Sequence, residues 1–273
     1  MIKNHRGVGL SLHLDQLNPI IESEHKLPYL EVIADNWLSP GPQHQKLERL
    51  RQDNELLFHC VNSNIGGTDS LDLDYLKSIK QLAKTFEVQH LSDHLCLQAH
   101  DGVYFHDLLP IPFSEESLEN CVSRVLEVQE VLGQEIILEN LSYYIQYKES
   151  SYSEAEFLNE IARRTSCGIL LDLNNIWVNE QNLGITCNEF LEQLDMQHVR
   201  EIHLAGPDRM EDGTYVDTHG SSVTSTVIKM LKDLPIKEGT PIIYERDTNI
   251  PDLAELLKEV TDISKFLESH ATK

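Results

Sequence analysis

Nearly every short apolar run in this 273-residue chain ends on a side chain that can bind a metal ion or move a proton. ELLFHC carries His59, LSDHLC carries His94 and IILEN carries Glu139. ILLDLNN carries Asp172, Asn174 and Asn175, EIHLAG carries His203, and IIYERD carries Glu245 and Asp247. The first run closes on His13, and the second offers Glu31, Asp35 and Asn36 less clearly. Ionised groups inside apolar strands cost several kcal/mol each unless they are paired or bound to metal. A lone histidine at a strand end is more often a satisfied histidine than a ligand, and an acid there often caps the next helix. The coincidence over six runs points to a shared metal site. Imidazole with carboxylate and no thiolate suits non-haem iron, manganese or zinc, and the residue types do not order these three. Calcium and magnesium take fewer histidines. After the seventh run, Asp217-Thr218-His219 adds an Asp-x-His pair, whose side chains share a face in extended chain. Asn174 and Asn175 can contribute an amide oxygen or shape the loop.

Positioning such a set requires that the runs end at one place. The runs cover residues 7–13, 29–36, 55–62, 88–96, 135–141, 168–175, 199–206 and 241–247, and longer helical patterns separate them. Strands alternating with helices signal a parallel sheet with crossover helices. Ser153 and Glu156 predict a capping box before Phe157, Leu158 and Ile161. Ser114 is expected to cap the next helix upstream, and Asn188 the run Phe190, Leu191, Leu194. Pro251 is expected in the first turn of the last helix. Eight strands and no segment left for a second unit predict a single domain over residues 1–273, an α/β protein folded as a (β/α)8 TIM barrel. An open doubly wound sheet is the alternative, but GLSLHLD after the start is not the Gly-rich phosphate loop that fold usually carries. In a barrel the C-terminal strand ends converge on one mouth, where active sites sit.

The formal net charge of −23 argues against nucleic acid and anionic membrane as partners, since phosphate backbones are bound through Lys and Arg. Solubility by self-repulsion is the plain reading of the acid, and service to metal ions is the other. No apolar run approaches the ~20 residues that span a bilayer, and the N-terminal stretch has no long apolar segment of the secretory type. Five cysteines, Cys60, Cys96, Cys121, Cys167 and Cys187, form no C-x-x-C pair and read as reduced thiols of a cytoplasmic protein. His5, His25, His44, His90, His100, His106, His198 and His270 read as solvated or structural. Tyr143 and Tyr144 either line the mouth or pack the loop after Glu139.

Taken together, GVGL, His59, SDHL, DLLP, LEN, LLDLNN, EIHLAG, VDTH and the E-x-D of Glu245 to Asp247 resemble the multinuclear non-haem iron-dependent oxidative enzymes. That family includes the catalytic subunit that makes oxazolone and thioamide groups in methanobactin. The resemblance runs from about residue 7 to residue 260. It implies a xylose-isomerase-like barrel holding two or three iron ions, with mixed valence available to them. It also implies oxygen-dependent modification of cysteine residues in a ribosomally made precursor peptide, with a separate partner protein holding the leader. Carried onto this chain, it gives His59, His94 and Glu139 to one iron, with Glu139 bridging. Asp172, His203 and Glu245 form the second set, and Asn175, Asp217 and His219 the third. His13 falls outside the ligands. Asp93, Ala34-Asp35-Asn36 and Arg246 depart from the family's more usual residues and bear on substrate choice rather than on metal. Rival readings are a sugar isomerase or an endonuclease-like hydrolase on the same barrel, or a non-catalytic metal-binding protein. The charge opposes the nuclease, and an isomerase would work without oxygen.

Overall fold

The computed structural model describes residues 7–271. Eight strands pair in parallel: β1 (Gly9–Ser11), β2 (Tyr29–Ile33), β3 (Glu55–His59), β4 (Leu91–His94), β5 (Ile137–Glu139), β6 (Gly168–Asp172), β7 (Val199–Leu204) and β8 (Ile242–Tyr244). They follow one another in sequence order around a closed barrel, β8 pairing with β1. The alternation of strands and helices thus leads to the expected (β/α)8 barrel, with every strand inside its predicted run but shorter. His13 lies beyond β1, and Glu245 lies one residue beyond β8, where its N–H still donates to Leu204 O at 2.9 Å.

Period-two alternation sorts each strand between two environments. On β7, Ile202 and Leu204 join the main core that the helices cover, while Glu201 and His203 come within 3.9 Å of each other on the other face. Tyr29, Leu57 and Ile243 form a separate apolar cluster inside the barrel. Gly9 makes room for it, because a Cβ there would lie 2.6 Å from that of Tyr29 and 2.8 Å from Ile243 Cδ1. One step further along the same strands, Glu31, His59 and Glu245 replace the apolar residues. The barrel is therefore a packed core that turns polar toward its C-terminal end.

The capping box forms as expected: Glu156 N donates to Ser153 Oγ at 3.2 Å, and Ser153 N to Glu156 Oε2 at 2.9 Å. Ser114 caps the helix Glu115–Leu132. Two expectations are corrected. Thr186, not Asn188, caps Cys187–Gln193, its hydroxyl accepting from Glu189 N at 3.2 Å, and Asn188 lies inside that helix. Pro251 precedes the last helix, Leu253–Ala271, whose first turn is held by the Asp252 carboxylate accepting from Glu255 N at 2.9 Å. In both cases the residue with a free acceptor at the right distance takes the cap.

Two hairpins interrupt the alternation. Leu97–His100 and Val103–Leu109 pair antiparallel across an Asp101-Gly102 turn with φ of 51° and 72°, the backbone that Asp-Gly favours in a two-residue loop. Asn64 pins this hairpin by accepting from Gln98 N at 2.7 Å and donating to Ala99 O at 3.0 Å. The buried Arg124 guanidinium in turn donates to Asn64 O at 2.9 Å. Asp208–Arg209 and Tyr215–Val216 form the second hairpin. All five cysteines are buried and free of disulfides, and burial pushes the Cys121 and Cys167 thiols up to about 12. His5 and the side chain of His270 lie outside the described residues.

Candidate metal centre

Register sets the vertical positions. His94 is level with Glu139 across β4 and β5, and Asp172 with His203 across β6 and β7. The first three expected ligands meet: His59 Nε2 is 3.2 Å from His94 Nε2 and 3.5 Å from Glu139 Oε2, which is 3.4 Å from His94 Nε2. The Glu139 carboxylate also faces the other way, with Oε1 4.0 Å from His203 Nδ1. Asp172 joins Glu139 and His203 in a second group whose ligand atoms lie within 4.8 Å of one another.

Glu245 stands between groups rather than in one. Its Oε2 is 3.1 Å from His203 Nδ1 and 3.2 Å from His219 Nδ1. His219 Nε2 is 2.8 Å from Asp217 Oδ1 and 4.0 Å from Asp172 Oδ2. Asp172, His219 and Glu245 thus form a further group, and Glu31, His203 and Glu245 another. Asn175 contributes differently. Its amide nitrogen donates to Asn140 O at 3.0 Å and Glu139 Oε1 at 3.3 Å, its backbone N–H donates to Asp172 Oδ1 at 2.6 Å, and its Oδ1 has no hydrogen-bond partner. Asn174 holds Asp217 Oδ1 at 2.6 Å.

Three imidazoles are held from behind. His59 Nδ1 meets Ser92 Oγ at 2.8 Å, His203 Nε2 meets Glu31 Oε2 at 3.2 Å, and His219 Nδ1 meets Asp247 Oδ2 at 3.0 Å. This is the arrangement of metal-binding histidines, whose second nitrogen is normally anchored by an oxygen. The opposite nitrogens of two of them face carboxylates, His203 Nδ1 at 3.1 Å from Glu245 and His219 Nε2 at 2.8 Å from Asp217, while Glu139 Oε2 and Asp172 Oδ2 are buried and lack a hydrogen-bond partner among the described residues. Buried polar atoms are rarely left so. His13 reaches the site indirectly, its Nε2 3.4 Å from Asp247 Oδ1 and 2.9 Å from Arg246 O. Asp35 is engaged elsewhere, by Val61 N, Asn62 and Tyr75, and Asn36 is exposed.

The electrostatics ask for cations. Burial raises Glu31 and Glu139 well above the usual carboxyl range and lifts Asp172 to about 7. Burial, with His94 and His203 nearby, keeps His59 neutral. For His203 burial opposes the charge, but Glu245 and Glu31 outweigh it and the net shift is upward. His219 is likewise raised, by Asp217 and Glu245 against burial. A cavity of about 510 Å³ opens above these groups, walled by Leu108, Leu109, Tyr143, Tyr144 and Ile145, and no Lys or Arg lines it. So many buried carboxylates, with imidazoles but no Lys or Arg beside them, fit metal ions better than they fit each other.

These shifts predict a pH dependence. Without metal, Asp172, Glu31, Glu139, His203 and His219 all bind protons more tightly when folded than when unfolded. Stability then falls as pH rises, from about pH 4 through 7 for Asp172 and beyond 6.5 for the two histidines. His59, shifted down, opposes this with a single group. The melting temperature of chelator-treated protein is expected to drop by at least about 3 °C from pH 6 to pH 8, and metal-loaded protein to show no such drop. A rise in the metal-free protein would contradict the assignment.

The sequence offers Glu31 only as a less clear candidate and does not single out Glu201, yet both are fully buried in the site. The signal was present as an acid inside YLEVI and as the i, i+2 pair of EIHL. The sequence does not mark Ser92 and Asp247 as anchors, for which no local pattern exists.

Residues 7–268 match the family described as RiPP precursor modification enzyme MbnB/TglH/ChrH. A UPF0276 protein of Acaryochloris marina is 35% identical over 266 residues, covering 97% of this chain and 96% of its own. Among solved structures, a D-tagatose 3-epimerase-like protein superposes with a TM-score of 0.64 at 18% identity, covering 97% of this chain and 98% of its own. A xylose isomerase domain protein from Planctomyces limnophilus gives 0.60 at 16%, covering 97% and 99%. At these identities the two structures show the xylose-isomerase-like barrel and nothing of the activity.

Proposed function

The chain belongs to the MbnB/TglH/ChrH family of RiPP precursor modification enzymes, and from that premise we propose that it uses iron and dioxygen to modify cysteine residues of a ribosomally made precursor peptide. The observation that carries the reading is the buried ring of carboxylates and imidazoles at the mouth, with carboxylate oxygens of Glu139 and Asp172 that lack a hydrogen-bond partner among the described residues and no Lys or Arg in the cavity wall.

His59, His94 and Glu139 would hold one ion, and the second Glu139 oxygen would reach a neighbouring ion held with Asp172 and His203. Asp217 and His219, with Asn175 lining the same cavity, would hold a third, and Glu245 touches both His203 and His219. Imidazole and carboxylate without thiolate suit iron. Such a cluster would supply a Lewis acid that favours a substrate thiolate, and the electrons that dioxygen requires.

The protein's own part is orientation and exclusion of water. Ser92, Glu31 and Asp247 fix the ring orientations of His59, His203 and His219. Asn140 locks the backbone at the end of β6 by accepting from Asp172 N at 2.9 Å and donating to Asp172 O at 3.0 Å, and the Asn175 N–H holds the Asp172 carboxylate at 2.6 Å. Leu108, Leu109, Tyr143 and Ile145 give the mouth an apolar wall that takes a peptide rather than a phosphate or a sugar. A reacting atom must sit about 3–3.5 Å from its partner, and ordering a flexible precursor is costly. A separate leader-binding partner that docks beside the mouth would meet that cost.

The test is an assay of iron-loaded protein with a cysteine-containing peptide encoded next to its gene and with the neighbouring gene products. Oxygen uptake and a mass change confined to cysteine-containing peptide are expected. No mass change under those conditions, with turnover of a ketose instead, would replace this reading by the sugar epimerase. Full-rate modification by the barrel alone, with no neighbour co-purifying, would remove the partner and leave the rest.

A further inference from the structure

Beside the mouth lies a second cavity, of about 450 Å³. Pro110, Tyr143 and Ile145 line both, so the wall between the two spaces is one side chain thick. The second cavity is floored by Phe113, Phe190 and Ile185 and walled by Tyr147 and Tyr152. We infer that this cavity is a specificity subsite, and that it takes an uncharged aromatic or large aliphatic side chain of the peptide, close in sequence to the residue that enters the mouth. The inference rests on the peptide reading given above.

Three observations support it. The first is chemical. No Lys or Arg lines the cavity, and its buried acid, Glu154, is already engaged. It accepts from Leu141 N at 3.1 Å and from the Tyr143 side chain. Burial raises it to about 8, so near neutral pH it presents no fixed charge. The other acid of the lining, Glu189, is exposed at the edge and accepts from Thr186 Oγ1 at 2.7 Å, so an acidic side chain would find no partner here and a basic one no carboxylate in the interior. The second is exposure. The loop between β5 and the helix Glu154–Thr165 forms the rim of both cavities and leaves Tyr144 45%, Ile145 56% and Tyr147 37% exposed. Large apolar side chains grouped at a rim mark a surface that binds something apolar. The third is reach. An extended peptide advances about 3.3 Å per residue and alternates its side chains. A residue one to three positions from the reacting one therefore reaches across a wall one side chain thick.

The test uses synthetic hexapeptides with one central cysteine and Phe, Leu, Gly, Asp or Lys scanned through the flanking positions. Binding to metal-loaded protein is followed by calorimetry, with Cys→Ser peptides as controls. At one flanking position Phe and Leu are expected to bind about tenfold or more tighter than Gly, the gain from burying such a side chain, with Asp weakest. Ile185→Trp, which fills this cavity and does not line the mouth, is expected to erase most of the Phe advantage while leaving the Gly peptide unchanged. Gln146→Lys, on the exposed rim, is expected to narrow the penalty for Asp and keeps the test open if the filled variant misfolds. Cysteine-dependent binding with no preference at any flanking position would overturn the subsite and leave the peptide reading standing. Absence of cysteine-dependent binding for every peptide would overturn both.

Discussion

Glu139→Ala is expected to lose at least about half of the metal that the wild-type protein retains through gel filtration, whereas His13→Ala keeps nearly all of it. The difference follows from position. Glu139 Oε2 lies 3.4–3.5 Å from His94 and His59, and its Oε1 faces His203, so one carboxylate serves two groups of ligands. Removing it takes an anionic ligand from both and leaves His203 and Asn175 facing a void where their partner stood. The His13 ring reaches Asp247 and the Arg246 carbonyl, touches none of the expected ligands among the described contacts, and acts on His219 at one remove. Glu139→Gln should fall between the two, because it keeps an oxygen but loses the charge. Equal metal loss from Glu139→Ala and His13→Ala would mean that Glu139 does not bridge.

Glu31→Gln is expected to weaken binding of one ion by about 10–100-fold, the usual effect of removing the anchor behind a metal-binding histidine, and to leave the ion at His59 and His94 in place. Both Glu31 oxygens lie 3.2 Å from His203 Nε2, which fixes the proton there and turns Nδ1 toward Glu139 and Glu245. Glutamine has one oxygen to offer and an amide that competes for the same nitrogen. Titration with a chelator of known affinity should resolve a first ion released early and a second held as in wild type. Simultaneous release of all ions, or none, would show that His203 is not oriented in this way.

How much of this is legible in the residues can be judged strand by strand. Eight short apolar runs separated by helical patterns are enough for a closed barrel, because burial on both faces of a parallel sheet leaves a continuous apolar signature. The strand ends then name His59, His94, Glu139, Asp172, His203 and Glu245, since an ionisable group in such a run is costly without a partner. Their division into sets is not legible. Glu245 touching both His203 and His219, and Asn175 turning its nitrogen to Glu139, depend on barrel stagger and on side-chain torsions that no spacing along one strand encodes. The hairpin at Asp101-Gly102 carries a turn signal, but an antiparallel pair inserted between β4 and its helix hides within the alternation of strands and helices. Asn188 failed as a cap for a simpler reason: Thr186, two residues earlier, has the same chemistry and sits where the chain leaves the extended conformation.

The central claim is that the mouth of this barrel holds a cluster of iron ions. Elemental analysis of freshly purified protein, made with iron available, tests it most directly. The ligand groups at the mouth predict at least about two metal ions per chain, and the proposed function predicts iron as the main element. Less than about one ion per chain of any metal, from folded protein that has not met a chelator, would contradict the cluster.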